Sequence, residues 1–179
     1  MNRTALLAWL LLVALPVAAD DDPPPPYDDK QSEFKTDAPP LKVERPTESW
    51  YFLKLDELKK QCEERKQDTS GFQNLKARLY WGLGRANVYL YAQADPNAKD
   101  LEALGKARLD RIKNQLREVK VKSQGAGRVG KRAAYLFELE GKPPRDGAQA
   151  VTIMAAVVIR EEDHQVFDVV LEVQPGGRP

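Results

Sequence analysis

Residues that could do chemistry are few in this 179-residue chain, and the most suggestive group surrounds its single histidine. His164 follows Glu161, Glu162 and Asp163 in a polar segment between two apolar runs. A zinc site needs several His or Cys ligands, which one histidine cannot supply. A loose metal contact through the imidazole and the carboxylates is the alternative. The sequence favours an ordinary polar turn, and no metal or cofactor is predicted.

Nucleophilic and acid–base catalysis find little support elsewhere in the chain. A Ser–His–Asp set with His164 would need a serine in a nucleophile-elbow context, which none of the serines has. Carboxylate pairs fall on helix faces and turns, and none is expected on an apolar strand, where burial would raise its pKa. Cys62, the only cysteine, is interpreted as a buried small hydrophobe and not as a reactive thiol. The serines are Ser32, Ser49, Ser70 and Ser123.

One glycine-rich segment, Gly125 to Gly130, matches the dinucleotide-binding pattern G-x-G-x-x-G. That motif works only after a strand and at the start of a helix, where the pyrophosphate meets the helix N-terminus. Here the glycines follow a predicted helix and precede a predicted strand. We therefore interpret the segment as a flexible connector.

The first 19 residues have the organisation of a cleavable secretory signal peptide. Arg3 supplies the positive charge, and residues 5–19 are uncharged and mostly apolar. Val17 and Ala19 occupy the small-residue positions of a cleavage site, which predicts a cut before Asp20. Fifteen residues are short for a membrane span of about 20, and an uncleaved N-terminal anchor is the alternative. We expect a periplasmic or secreted protein.

Residues 20–40 form an acidic, proline-rich segment with seven acidic residues and two lysines. With almost nothing to bury, the segment is expected to be an extended, disordered tail that contributes little to stability. A spacer between the membrane and the domain is favoured over docking of Pro23–Pro26 in an aromatic groove. A single domain is predicted at 41–175, followed by a loose C-terminus at 176–179.

Hydrophobic periodicity divides the domain into strands and helices. Leu109 and Ile112 belong to the apolar stripe of one long amphipathic helix, which runs from Asp100 to Val119 and in which Gly105 would let the backbone approach a sheet closely. The links are short, which predicts an α+β fold with a mainly antiparallel sheet. The other predicted elements are strands at 41–46, 75–81, 87–92, 133–140, 150–159 and 166–173, a helix at 56–66 and a hairpin turn at 82–85.

In this order of elements the chain resembles the PsbP/Mog1/DcrB-like family. The resemblance implies an α/β/α sandwich around a central antiparallel sheet. It also implies a non-enzymatic role in binding or stabilising a larger assembly, often at a membrane surface. No residue matches a functional residue of that family. The segments that carry the resemblance are Val43-Glu-Arg-Pro46, Val88-Tyr-Leu-Tyr91, the long helix, Gly130-Lys-Arg-Ala-Ala-Tyr-Leu-Phe137, Val151–Ile159 and Val166–Leu171.

Aromatic and basic residues are the best candidates for a partner surface. The tyrosines of the predicted hairpin alternate with its most apolar residues, so a partly covered sheet face would leave them half-exposed, although core packing is the favoured alternative. Residues 99–132 carry eleven basic and four acidic residues. A solvated helix face is favoured there over contact with an acidic partner, a lipid surface or the acidic tail. The candidates are Trp50, Tyr51, Tyr80, Tyr89, Tyr91, Arg108 and Arg111.

These features favour an exported, non-enzymatic binding or accessory domain that supports an envelope or membrane-surface assembly. A protein partner in the envelope is expected, with peripheral membrane contact as a further option and no nucleic acid. Two other classes stay open: a small hydrolase or metal-dependent enzyme with an unrecognised site, and a purely structural envelope component. The sequence leaves the oligomeric state undetermined.

Overall fold

The computed structural model describes residues 26–81 and 85–176. The predicted signal peptide, residues 20–25 of the predicted tail, the hairpin turn at 82–84 and residues 177–179 lie outside the described residues. Neither α-helix within the described ranges is long and apolar enough to cross a membrane. The elements are β1 Tyr27–Asp28, β2 Glu33–Asp37, β3 Pro40–Glu44, β4 Trp50–Leu53, α1 Leu55–Glu64, β5 Leu75–Trp81, β6 Ala86–Ala94, α2 Leu101–Asn114, β7 Arg117–Val129, β8 Arg132–Lys142, β9 Val151–Arg160 and β10 Gln165–Val173.

Eight of these strands form one antiparallel sheet in the order β1-β4-β5-β6-β10-β9-β8-β7. The predicted hairpin of β5 and β6 and the three predicted C-terminal strands are confirmed. Period-two alternation and β-branched residues place them, because alternate side chains point to opposite faces of a sheet. The last strand, β10, lies near the middle of the sheet, between β6 and β9.

Helix α2 covers one face of the sheet, which we call the inner face. The Asp100 side chain caps the helix by accepting a hydrogen bond from the Ala103 backbone N–H at 2.9 Å. Leu109 and Ile112 are buried against the sheet. A Cβ atom at Gly105 would lie 2.2 Å from the Tyr135 ring of β8, so the predicted close approach at this glycine is confirmed.

The predicted long helix is wrong at its C-terminal end. Helix α2 stops at Asn114, and β7 begins only three residues later. Val119 also fits a period of two, because it alternates with charged neighbours as in a strand. The glycine-rich segment is likewise corrected from a flexible connector: Gly125 and Gly127 lie within β7, paired with β8.

The opposite, outer face is covered by the β2–β3 hairpin. Phe34, Leu41 and Val43 of the hairpin pack on the apolar cluster formed by β4, β5 and β6. Helix α1 instead lies on the inner face, because its Leu58 packs on Tyr80, whose side chain shares a face with α2. The predicted α/β/α sandwich is therefore corrected: both helices occupy one face, and a hairpin supplies the other layer.

The prediction of a disordered tail over 20–40 is wrong for most of its described part. Tyr27 pairs with Leu53 in the large sheet, and residues 33–37 form β2. Although the segment is acidic, Phe34 contributes an apolar side chain whose ring lies 6.5 Å from that of Phe52. Glu33 forms an ion pair with Lys42 of β3 at 3.2 Å. The domain therefore begins well before residue 41.

Candidate functional site

Two carboxylates lie among the alternate residues of the central strand β10 whose side chains point into the buried inner face. Asp168 and Glu172 alternate with outward-facing apolar residues and share the inner face with Val166 and Val170. Only 6 % of the Asp168 surface and 5 % of the Glu172 surface are exposed. The expectation that no pair of carboxylates lies on an apolar strand is therefore wrong.

Asp168 is the centre of an ion pair with helix α2. The Arg108 Nε atom lies 3.0 Å from Asp168 Oδ2, whereas Asp168 Oδ1 accepts no hydrogen bond within the described ranges. Burial raises the pKa of the Asp168 carboxyl, and the neighbouring Arg108 and Arg111 partly oppose that rise. Arg108 is buried and Arg111 is half-buried, so neither forms the exposed partner surface considered from the sequence.

Glu172 lies at the other end of the same strand face. It accepts hydrogen bonds from the Tyr89 hydroxyl and from Gln174 Nε2 at 2.9 Å. Burial raises the pKa of the Glu172 carboxyl, and the positive charge of Arg78 opposes that rise. Arg78 donates a hydrogen bond to Asn87 Oδ1 at 3.0 Å.

Tyr89 and Tyr91 complete this buried polar network. Their rings are stacked, with centroids 6.5 Å apart, and the Arg78 guanidinium lies 4.8 Å from the Tyr89 ring centroid. Burial raises the pKa of both phenols well above the ordinary value. The half-exposed tyrosine patch is therefore wrong here, and the alternative interpretation, packing in the core, is confirmed.

The residue types of this network are those of a catalytic site, but a substrate cannot reach them in this structure. Its carboxylates already bind arginine, tyrosine and glutamine side chains of the same molecule, and every member except the half-buried Gln174 is buried. A substrate could reach them only if the inner layer opened. In residues 26–81 and 85–176, no group of His, Cys, Asp and Glu could hold a metal ion. This arrangement stabilises the fold and orients α2.

The remaining sequence candidates fall in two other places. Trp50 is buried on the outer face, in the cluster beneath the β2–β3 hairpin. Tyr51 and Tyr80 form a ring cluster with Tyr27, in which the centroids are 5.1 to 5.7 Å apart. Tyr80 is buried and Tyr51 half-buried, whereas Tyr27 is 40 % exposed. The seven candidates therefore do not form one surface.

The structure confirms that His164 belongs to a polar turn. Its backbone is left-handed, with φ of 54°, at the end of the short helical turn before β10. Neighbouring carboxylates are engaged elsewhere: Glu162 pairs with Arg132 at 3.1 Å, and Asp163 pairs with Arg160. Cys62 is buried and burial raises the pKa of its thiol, so its interpretation as a core residue is also confirmed.

An open cleft of about 920 Å³ lies where β4 turns into α1. Pairing between β4 and β5 ends at Phe52 and Leu79, although β5 begins at Leu75. No described strand lies beside the first part of β5 on this side. The apolar lining comprises Phe34, Phe52, Leu55, Phe72, Leu75 and Ala77, and the charged lining comprises Lys54, Asp56, Lys59, Asp68 and Lys76.

This cleft combines features that suit an extended peptide. A strand edge that lacks a neighbour offers backbone groups to a further strand, and side-chain pockets beside it give specificity. Aromatic side chains provide apolar contact, and charges of both signs line the opening. No sequence motif marks the cleft, because it arises where β4 is shorter than its partner.

The sequence matches no protein-family model and no curated protein sequence. Among solved structures, cyanobacterial PsbP (CyanoP) from Synechocystis is similar with a TM-score of 0.52 and 10% identity, over 80% of each chain. The chain has a PsbP-like fold. The resemblance predicted from the order of elements is thereby confirmed.

Two further solved structures are similar at lower TM-scores. PA94 from Pseudomonas aeruginosa, a protein of unknown function for which a regulatory role has been suggested, has a TM-score of 0.44 and 14% identity over 81% of this chain and 83% of that one. The Ran-binding protein Mog1p of Saccharomyces cerevisiae has a TM-score of 0.39 and 10% identity, over 80% of this chain and 68% of that one.

The sequence candidates include the network residues Tyr89, Tyr91 and Arg108. They do not include the other network residues, which are Arg78, Asn87, Asp168 and Glu172. The available signal was the spacing of Asp168 and Glu172, four apart in an apolar strand, which places both on one face. A charged side chain on the buried face of a central strand needs an opposite charge or hydrogen-bond donors nearby. That requirement pointed to the arginines of neighbouring elements. Arg78 and Asn87 carry a weaker signal, because polar residues are common in hairpins.

Proposed function

We propose that this protein is an exported, non-enzymatic binding domain that engages a protein partner through the cleft between α1 and β5. The partner is a component of an envelope or membrane-surface assembly. The observation that carries the proposal is the apolar cleft beside the start of β5, where Leu75 and Lys76 are half-buried and have no partner on β4. Such an edge can accept a strand from another chain, with apolar side chains of that strand entering the cleft.

The geometry favours binding over chemistry. An enzyme site is expected to combine a concave pocket with convergent polar groups of perturbed pKa. In this molecule the groups with raised carboxyl pKa values, Asp168 and Glu172, are enclosed under the helices. The cleft is lined by other residues. The two properties that an enzyme needs together are therefore found in different places.

Export rests on the N-terminal sequence. The positive residue Arg3, the apolar stretch and the small residues before Asp20 support cleavage by signal peptidase. N-terminal sequencing of the protein recovered from its native host is expected to begin at Asp20. Recovery of an intact Met1 in the membrane fraction would show instead that the segment is kept as an anchor.

Site-directed photocrosslinking in the native host tests the cleft. A benzoylphenylalanine at Gln73, an exposed residue of the cleft lining, is compared with one at Glu102, an exposed residue of α2. Helix α2 packs on β7, β8 and β9, away from the cleft. The Gln73 position is expected to yield a discrete crosslinked protein that the Glu102 position does not.

Blocking the cleft provides the second arm of this experiment. Ser70→Trp places a bulky side chain among the lining residues and is expected to abolish the Gln73 crosslink while the melting temperature is retained. Identical products from both crosslinker positions, or a Gln73 crosslink that survives Ser70→Trp, would contradict the proposed site. Turnover of a small-molecule substrate by the purified protein, lost in Ser70→Trp, would favour the enzyme alternative.

A further inference from the structure

Strand β7 forms one edge of the large sheet along its whole length. It spans Arg117–Val129, 13 residues, and in the described structure it pairs only with β8. Each residue of β7 is exposed or half-exposed. An edge of this length presents a row of backbone donors and acceptors that another strand can pair with.

The positive charge of this part of the molecule is concentrated on β7 rather than on α2. On the helix, Lys106 pairs with Glu102, and Lys113 pairs with Asp110 at 3.1 Å. Arg108 is buried against Asp168. The basic helix face considered from the sequence is therefore largely neutralised within the molecule.

On β7 and its turn, by contrast, several cations have no acidic partner in the described part of the chain. Arg117, Lys120, Arg128 and Lys131 form no ion pair there. Lys122 does pair, with Glu140 at 2.8 Å. The edge consequently keeps a net positive charge that can attract an acidic partner.

These cations are distributed in a way that discriminates between occupants. Residues 123–127, Ser-Gln-Gly-Ala-Gly, are uncharged, and cations lie on both sides of them. A second copy of this edge would bring two surfaces of the same net charge together, and the repulsion between them disfavours that occupant.

From this arrangement we infer that β7 binds an extended acidic segment of a protein partner, which adds to the sheet beyond β7. The small side chains of residues 123–127 let the partner backbone approach, and Lys120 and Arg128 pair with its carboxylates. Lysine on an edge strand also limits pairing with neutral or basic strands, so the same residues select for acidity. This surface lies at the opposite end of the sheet from the cleft and does not depend on it.

A synthetic peptide tests the inference directly. The probe is a fluorescein-labelled peptide of about nine residues that alternates Glu with Val and Thr, long enough to pair as one strand. Two control peptides replace Glu by Lys or N-methylate alternate backbone amides. Binding is measured by fluorescence anisotropy, and backbone protection by hydrogen exchange of residues 123–127.

Two double variants that change the net charge equally distinguish binding at β7 from a general effect of the protein's charge. Lys120→Glu with Arg128→Glu reverses the edge, and Lys60→Glu with Lys99→Glu reverses two exposed cations elsewhere. The edge variant is expected to bind the acidic peptide at least about tenfold more weakly, and the remaining binding should depend less on salt. The control variant is expected to change binding by less than about twofold. If the edge variant does not fold, Lys120→Gln with Arg128→Gln replaces it.

Strand addition further predicts that the N-methylated peptide binds at least about tenfold more weakly, since it cannot complete the backbone ladder. The acidic peptide is also expected to protect the amides of residues 123–127. Equal binding of the N-methylated peptide, no loss in the edge variant, or no protection of β7 would overturn the inference. So would a dimer in sedimentation equilibrium that the edge variant abolishes, or binding to anionic phosphatidylglycerol vesicles without binding to the peptide.

Discussion

Asp168 on β10 and Tyr91 on β6 are directly opposite each other in the central pair of strands, and both side chains are buried on the inner face. Arg108 of α2 reaches the same point, with its Nε atom 3.0 Å from Asp168 Oδ2. This ion pair joins a helix near one end of the sheet to its centre. Because both charges are removed from water, each depends on the other for compensation.

The Arg108–Asp168 pair is expected to show strong coupling in a double-mutant cycle. Arg108→Met or Asp168→Leu alone leaves one buried charge without its partner and should cost roughly 3–5 kcal/mol of unfolding free energy. The double variant, which removes both charges, should recover most of that loss. Urea unfolding of the four proteins measures the coupling. Additive effects of the two single substitutions would show that the pair contributes no mutual stabilisation.

Glu172 is expected to make stability depend on pH. Its pKa in the folded protein is raised above the ordinary value of 4.5. Its contribution to stability is therefore fully present below that value and is lost as the pH rises through the folded-state pKa. Glu172→Gln keeps a side chain of similar shape but cannot ionise. Relative to wild type, the variant should become more stable as the pH rises through the folded-state pKa of Glu172.

Unfolding free energies measured from about pH 4 to pH 8 test this expectation. The change with pH is diagnostic, because Gln also loses the attraction between Glu172 and Arg78 at every pH where both are charged. Glu48→Gln, in an exposed loop, is the control. A difference between Glu172→Gln and wild type that shrinks or stays constant with rising pH would show that the folded-state pKa is not raised.

Gly105→Ala is expected to destabilise the protein, although the same change in an exposed helix usually stabilises by up to about 1 kcal/mol. The new Cβ would lie 2.5 Å or less from three atoms of Tyr135. One of them is the Tyr135 Cβ, which a rotation of the ring cannot move away. Displacement of α2 should cost roughly 1–3 kcal/mol. Thermal unfolding measures it, with Lys106→Ala as a control expected to change stability by less than about 0.5 kcal/mol.

Removal of the N-terminal segment tests whether the β2–β3 hairpin is part of the core. A chain that begins at Leu41 lacks β1 and β2 and uncovers Phe52, so it should melt more than about 10 °C below the chain that begins at Asp20. A chain that begins at Pro26 retains every described strand and should melt within a few degrees of it. Equal melting temperatures for all three chains would show that the hairpin covers the sheet without stabilising it.

The sequence was sufficient to predict those elements whose periodicity is unambiguous. Alternation placed β5 and β6, apolar runs placed β9 and β10, and Gly105 identified the contact between α2 and the sheet. Periodicity failed where two periods coincide, as at Val119, which fits both a helical stripe and a strand. It also failed in residues 27–37, because the acidic composition outweighed two aromatic residues: Tyr27, which pairs in the large sheet, and Phe34, which anchors the hairpin.

The candidate site was less accessible to sequence reasoning, for a topological reason. Tyr89 and Asp168 are distant in sequence and come together only because β10 inserts beside β6. The aromatic candidates were chosen for their types, but burial depends on which face each strand presents and on what covers that face. The cleft depends on the relative lengths of β4 and β5, which composition does not encode.

The position of β10 in the sheet has a consequence for how the protein reaches its final form. Until Gln165–Val173 is available, the strands of the large sheet form two separate groups, β1 with β4–β6 and β7–β9, each with an unpaired apolar edge where β10 will insert. A chain that is threaded through a membrane pore from its N-terminus delivers this strand last. Under the proposed export, the sheet therefore stays incomplete until β10 has crossed the membrane, and the unpaired edges are open to wrong pairing. If the chain is exported in this way, its correct folding depends on how quickly β10 emerges, or on a factor that keeps the earlier strands from pairing wrongly.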